Sequence, residues 1–490
     1  MMKSLLYSLC LGVTMWCLAS CSQELNIVGR LEKASPLVED YAGVQFPPNI
    51  ASLNFLVKAT DGQEGVVLTF GDSRLSAICK DGAMIPDLDS WKALLAEAKG
   101  NKIQVEHCVL TSKGWKAYQP FEIEVMQEEI DPYLAYRLIP PGYEMWNEMG
   151  IYQRNLENFE ETAILNNTQS DRNCMNCHSF CMQNPEQMQL HLRAKHAGTL
   201  LINGGTITKL DTKTEQTISA LVYPYWHPSG KYIAYSVNDT KQLFHTHHQN
   251  RIEVMDLASD VVVYDVEKNE VVTAPQFFNK EVFETFPSFS ADGKTLYYCA
   301  SRQQKMPDDI EKLKYHLCAI SFDPETRTFG DKVDTLYNAE QMDKSVSFPR
   351  VSPDGKHLMF TLADYATFPI WHQEADLWMT DLQDGRTFSL DALNSESVES
   401  YHSWSSNSRW IVFSSRRLDG LYTRPYIAYV SADGTVGKPF LLPQSKGGFY
   451  EKCMNSYNIP ELIKGKVDVN RRELIQQALS EEKKQVTSRI

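Results

Sequence analysis

One pattern recurs four times in this chain, and a chain built on such a recurrence folds as a succession of like units that cover one another's faces. The copies are Tyr223-Pro-Tyr-Trp-His-Pro-Ser-Gly-Lys-Tyr-Ile-Ala-Tyr-Ser, Phe286-Pro-Ser-Phe-Ser-Ala-Asp-Gly-Lys-Thr-Leu-Tyr-Tyr-Cys, Phe348-Pro-Arg-Val-Ser-Pro-Asp-Gly-Lys-His-Leu-Met-Phe-Thr and Tyr401-His-Ser-Trp-Ser-Ser-Asn-Ser-Arg-Trp-Ile-Val-Phe-Ser, spaced by 63, 62 and 53 residues. Each reads as an aromatic strand, a turn whose Gly can take positive φ, and an alternating apolar strand. A second strand pair follows each copy, at Asp260-Val-Val-Val-Tyr-Asp-Val, His316-Leu-Cys-Ala-Ile-Ser-Phe, Asp376-Leu-Trp-Met-Thr-Asp-Leu and Pro425-Tyr-Ile-Ala-Tyr-Val-Ser. Four strands with two apolar faces cannot bury themselves alone, so the expected class is mainly β, with the units as blades of a propeller.

The aromatic-Pro-x-aromatic-Ser-Pro-Asp-Gly-Lys signature resembles the TolB-like, WD-type propeller repeat over residues 199 to 450. The fourth copy departs from it, with His402, Asn407 and Ser408 in place of Pro, Asp and Gly. Strands at Thr199 to Ile202 and Thr206 to Leu210 read as the outer half of another blade. The segment Tyr450 to Ile463 is expected to complete it, fastening a propeller over 199–464. The count is about five blades, with six the alternative. Long segments at Asn238 to Leu257, Ser301 to Lys314, Asp364 to Glu374 and Arg417 to Arg424 leave on one face, where binding is expected. His245, His247 and His248 in the first of them read as an exposed polar loop, with no carboxylate or Cys at matching spacing.

Ahead of the repeats, short alternating runs predict a small β-sandwich over 45–128, interrupted by one helix. Asp89 or Ser90 would cap that helix, Trp91, Leu94 and Leu95 would form its apolar stripe, and Gly100 would end it. Residues 129–198 are read as a helical or irregular segment with a helix around Trp146 to Asn158. Residues 465–490 are read as a charged C-terminal helix or tail.

The first 20 residues carry Lys3, an apolar run and Leu18-Ala19-Ser20 before Cys21. This resembles a bacterial lipoprotein signal, which implies lipidation of Cys21, a tether over 21–44, and a membrane connection through the lipid anchor only. Ser22, in place of the Asp of inner-membrane retention, implies the outer membrane, facing periplasm or cell surface. Such a compartment permits disulfides, and Cys299 with Cys318 is the expected pair. A net charge of −14 argues against nucleic acid as a partner.

The strongest chemical signal is Cys174-Met175-Asn176-Cys177-His178, a Cys-x-x-Cys-His arrangement. On one helical turn, two thiols three residues apart can add to the vinyl groups of haem, and the adjacent imidazole can reach the iron. The segment resembles a monohaem cytochrome c module. The resemblance implies one covalent haem c, thioethers at Cys174 and Cys177, and His178 as proximal iron ligand. His191 or Met188 is the candidate distal ligand; His196, Met454 and His247 stay open, and Met182 falls on the wrong side of a helical haem. No hydrolase or nucleotide-binding constellation is present, and no catalytic residue is assigned. The expected function is electron transfer to a redox partner in the cell envelope or to a ligand on the loop face. The alternative is a propeller lipoprotein that binds proteins or glycans, with the haem structural or absent.

Overall fold

The computed structural model describes residues 25–58, 62–140, 148–245 and 250–489. Cys21, His247 and His248 therefore lie outside the described residues. The structure is mainly β. An N-terminal seven-stranded sheet is followed by six sheets of four or five strands, here numbered I to VI.

The N-terminal sheet begins at Ile27–Arg30, inside the segment expected to be a tether, and runs to Phe121–Val125. The helix Leu88–Ala98 lies against it and buries Trp91, Leu94, Leu95 and Ala98. Its cap is Asp87 rather than Asp89 or Ser90, with Oδ1 accepting the Ser90 N–H at 3.0 Å. Gly100, at φ +76°, turns the chain out of it. Instead of two sheets face to face, one sheet with a helix shares a core with sheet VI: the Phe46 and Phe440 rings lie 4.6 Å apart. Asp131 accepts the Ser406 N–H at 2.7 Å, and the Trp410 indole N–H donates to the Glu128 carbonyl at 3.1 Å.

Sheet I combines Tyr133–Ile139, Gly150–Asn155 and Glu161–Asn166 with Ser456–Ile463 from the C-terminal end. The helix expected around Trp146 to Asn158 is thus the strand Gly150–Asn155, because both of its faces are covered by neighbouring sheets. Sheet II holds Met175–Cys181, Asn184–Leu192, Gly198–Asn203 and Thr206–Asp211. The expected helical motif segment is therefore also strand. Ser456–Ile463 pairs with Tyr133–Ile139 and not with the 199–210 hairpin, so one anticipated composite unit becomes two separate sheets.

Sheets III to VI follow the four recurring copies, and their first strands are Val222–Trp226, Val282–Phe289, Ser345–Val351 and Glu399–Trp404. The first strand of each sheet from II to VI touches that of the next. Ser456–Ile463 of sheet I touches the first strands of both VI and II. Cys299 and Cys318 stand on adjacent strands of sheet IV but on opposite faces, Cys299 packed toward sheet V and Cys318 toward sheet III. The expected disulfide is excluded by this facing, and all eight described cysteines are free thiols.

Two features extend beyond the repeat. The segment read as a loop at Asn238 to Leu257 is largely a hairpin arm, Tyr232–Phe244 with Ile252–Asp265. It leans on the sheet V loop, where His372 Nε2 meets Glu253 at 2.8 Å, Nδ1 meets Glu374 at 3.1 Å, and the Tyr365 hydroxyl donates to Glu253 at 2.9 Å. The C-terminal segment forms the helix Arg471–Leu479 and then adds Lys484–Gln485 to the edge of sheet II and Thr487–Arg489 to the edge of sheet III. Among the described residues no helix is long and apolar enough to cross a membrane.

Candidate functional site

Every sheet from I to VI carries the same irregularity on its first or axial strand. The ladder skips two residues at Ile459-Pro460, Cys177-His178, Tyr223-Pro224, Phe286-Pro287, Phe348-Pro349 and Tyr401-His402. The first residue of each pair lies at φ between +46° and +54°. A bulge of this kind re-aims a side chain at the expense of local strain, and the position after it gives up its ladder hydrogen bond, which is why Pro fills it four times. The re-aimed rings converge: Tyr223 to Phe286 is 4.8 Å, Phe286 to Phe348 is 4.6 Å and Phe348 to Tyr401 is 5.1 Å between centroids. Phe368 packs against all four.

Cys177 occupies the sheet II place in this series, and His178 the place that His402 holds in sheet VI. The sequence relation is direct, Cys177-His-Ser-Phe beside Tyr401-His-Ser-Trp. With Cys for the leading aromatic and no Asp-Gly turn following, it escapes the repeat signature. The shared His-Ser-aromatic run is the signal that finds it.

The thiols of Cys174 and Cys177 are both buried and close enough to influence one another's charge. Burial raises the Cys174 thiol, against the opposing pull of Arg137 and Arg193. His178 is 1% exposed, and burial, reinforced by Arg137, pushes its imidazole down to about 3, so the ring is neutral. Neither of its ring nitrogens makes a hydrogen bond of normal geometry; the ring leans on the Ile459 main chain of sheet I. His402 differs, with Nε2 bonded to the Met359 carbonyl at 3.1 Å. Two buried thiols and a neutral imidazole whose nitrogens make no hydrogen bond of normal geometry are the donor types of haem c, carried here on a strand and not on the helical turn expected. The fit is one of donor chemistry, since His178 is closed off from solvent as the chain packs here.

The distal candidates are not brought to His178. His191 faces the opposite side of sheet II, toward sheet III, with Nδ1 on the Thr199 hydroxyl at 3.0 Å. Met188 is fully buried in the apolar core between sheets I and II, paired across the ladder with Phe180. His196 is held by Asp171 at 3.0 Å, Met182 sits at φ +47° in the tight turn after the strand, and Met454 is exposed on the C-terminal segment. Among the described residues no group of three or more His, Cys, Asp or Glu is arranged around a metal position.

Two guanidinium groups flank the motif. Arg137 is buried, its Nε has no partner, and its Nη2 reaches the Asn458 amide oxygen at 3.3 Å when that amide turns its nitrogen to Thr423. Arg193, whose main-chain N–H donates to the Cys174 carbonyl at 2.9 Å, lines a cavity of about 360 Å³ between sheets II and III. A smaller cavity of about 80 Å³ lies among the axial strands, lined by Tyr225, Arg350, His402, Gln183 and Glu461.

The chain matches no protein-family pattern and no curated protein sequence. Among solved structures it is similar to prolyl oligopeptidase B from Galerina marginata bound to a 25mer macrocyclization substrate, at 11% identity and a TM-score of 0.35, covering 64% of this chain and 45% of that one. A puromycin-hydrolyzing peptidase of Mycobacterium tuberculosis gives 11% identity and 0.34, covering 85% and 57%. A DUF4784 family protein from Bacteroides caccae gives 8% and 0.29, covering 72% and 96%. The chain spans about half the length of the two peptidases. Similarities this distant transfer no activity.

Proposed function

We propose that sheets I to VI are the six blades of a β-propeller closed by the C-terminal strand, and that the protein is an exported c-type cytochrome, lipid-anchored at Cys21, with one haem at Cys174, Cys177 and His178. The ring is supported by the contacts that run from each axial strand to the next, and by six bulges that turn their leading side chains toward one another. The observation that carries the haem is the Cys174, Cys177 and His178 spacing, with all three side chains buried and the His178 nitrogens making no hydrogen bond of normal geometry, at the one bulge of the six where a thiol replaces an aromatic or aliphatic residue.

In this reading Cys174 and Cys177 form the thioethers and His178 is the proximal ligand. When bound, the group supplies a reversible one-electron couple. The chain's own part is to keep the imidazole neutral, to exclude water through the packed axial rings, and to present Arg137 and Arg193 as positive charge next to the site. The electron-transfer partner is a protein of the cell envelope or a ligand on the loop face.

A second reading has its own observation. His178 holds the bulge position of His402, which wedges against a neighbouring main chain, so Cys177-His178 can serve blade packing in a propeller that only binds proteins or glycans. The deciding measurement is a pyridine haemochrome spectrum and a denaturing-gel haem stain of the full chain made in a host with cytochrome c maturation, beside Cys177→Ala. A covalent c-type signal weakened or lost in the variant is expected. Haem-free wild type that is folded and exported overturns the cytochrome reading and leaves the binding propeller.

A further inference from the structure

The 360 Å³ cavity between sheets II and III has a charge opposite to that of the molecule around it. The chain as a whole carries −14, yet the titratable lining of this cavity is Arg193, Lys213 and Lys483 with His191, Tyr223 and a single carboxylate, Asp211. That carboxylate is already satisfied, since Lys483 Nζ meets it at 2.8 Å. Lys213 is directed at main-chain oxygens of Thr217 and Ile218. Arg193 has solvent access although protein crowds it on most sides, the condition of a side chain standing inside an open cavity, and among the described residues its guanidinium is paired with no carboxylate.

The remaining lining gives the site its shape. Tyr223 and Val222 supply an apolar wall, and Ser219 and Thr240 add hydroxyl groups to the lining. A cavity of several hundred Å³ with an apolar wall and a few convergent polar groups is the usual form of a small-molecule site. Its planar two-pronged donor matches a carboxylate better than a point charge would.

We propose that this cavity is a carboxylate-binding site with Arg193 as its principal donor, taking a small organic acid with a ring or chain body that lies against Tyr223. The proposal does not depend on the cytochrome reading. Two sources of the carboxylate share the chemistry: the propionate arms of a porphyrin held at Cys174 and Cys177, whose thiols are next to Arg193, or a free ligand such as a uronic acid.

The test uses the full chain with Cys174→Ser and Cys177→Ser, which carries no covalent haem, titrated calorimetrically with glucuronate and with citrate at low and high salt. Saturable, salt-sensitive binding is expected, weakened at least tenfold by Arg193→Gln and partly restored by Arg193→Lys, with unchanged melting temperatures showing that the variants fold. The haem-stained wild type is titrated in parallel: binding there as well assigns the cavity to a free ligand. Loss of binding on loading, with a midpoint potential that Arg193→Gln lowers, assigns it to the propionates. The proposal is overturned if the haem-free protein binds neither acid, or binds them equally well as Arg193→Gln. The haem stain reads the cytochrome proposal separately, so failure of one is distinguishable from failure of the other.

Discussion

His372 and the three histidines His178, His191 and His402 are all buried, and their surroundings drive them in opposite directions. Two carboxylates, Glu253 and Glu374, raise His372 to about 9 in spite of its burial. Burial with no acidic partner pushes the other three down to about 3. A group raised on folding contributes stability that is complete below its unfolded value of 6.5 and is lost as pH climbs through 9. A group depressed on folding contributes stability that is present above 6.5 and is lost as pH falls toward 3. Glu284, raised to about 9 by burial and by Asp260, contributes stability that is complete below its unfolded value of 4.5 and is lost as pH climbs through 9, so it offsets part of the acid-side gain and adds to the alkaline loss. The melting temperature is therefore expected to peak near neutrality. His372→Gln should cost about 3 kcal/mol near pH 6.5, where it removes the buried cation between Glu253 and Glu374, and should flatten the alkaline limb. Thermal melts across pH 4 to 10 check this, and an alkaline limb of the same slope in the variant would refute it. None of this pairing was legible in sequence, since Glu253 and His372 lie on different sheets and meet only because a hairpin arm crosses between them.

At the scale of the element, the bulge is the unit that repeats. None of the six leading residues is Gly, Asn or Asp, the types that favour positive φ, and Ile459 is β-branched, so each bulge is held by what its side chain gains in packing. Phe348 meets three other rings, Phe286, Phe368 and Tyr401. Phe348→Leu is expected to cost about 1–2 kcal/mol through lost ring packing, and Phe348→Val roughly 1–2 kcal/mol more, because branching at Cβ adds backbone strain in the left-handed region and leaves a larger cavity. Equal losses in chemical denaturation would show that the bulge stores no such strain. Sheets III to VI were legible because Tyr223, Phe286, Phe348 and Tyr401 begin recognisable strand-turn-strand copies. Sheet II was not, because Cys177 hides the pattern and its Cys-x-x-Cys-His spacing invites a helical reading. Sheet I was not, because its four strands come from two distant stretches and neither looks like a complete unit. The chemistry of Cys174, Cys177 and His178 stood out from spacing alone; their conformation depended on the sheets on either side.

For the whole molecule, the C-terminal end is structural in two separable ways. The helix Arg471–Leu479 buries Leu474 and Ala478, and the Lys209 ammonium, itself 3% exposed, donates to the Ala478 carbonyl at 3.0 Å and the Ser480 carbonyl at 2.6 Å. Ending the chain after residue 465 removes these contacts and both edge strands. It should lower the melting temperature while keeping one cooperative transition, at a cost of about 3–5 kcal/mol from the lost apolar burial. Ending it after residue 455 also removes Ser456–Ile463, and cooperative unfolding should disappear; a cooperative melt in that truncation would refute the closure. The axial strand of sheet I is made 290 residues after the strand Glu161–Asn166 of the same sheet. During synthesis, Tyr136 and the ladder of Tyr133–Ile139 must wait until Ser456–Ile463 has been made, so an interrupted product keeps an open sheet edge that proteases can seize. The position of Ser456–Ile463 therefore sets an order on survival: a strand made early stays open to attack until one made some three hundred residues later arrives to cover it.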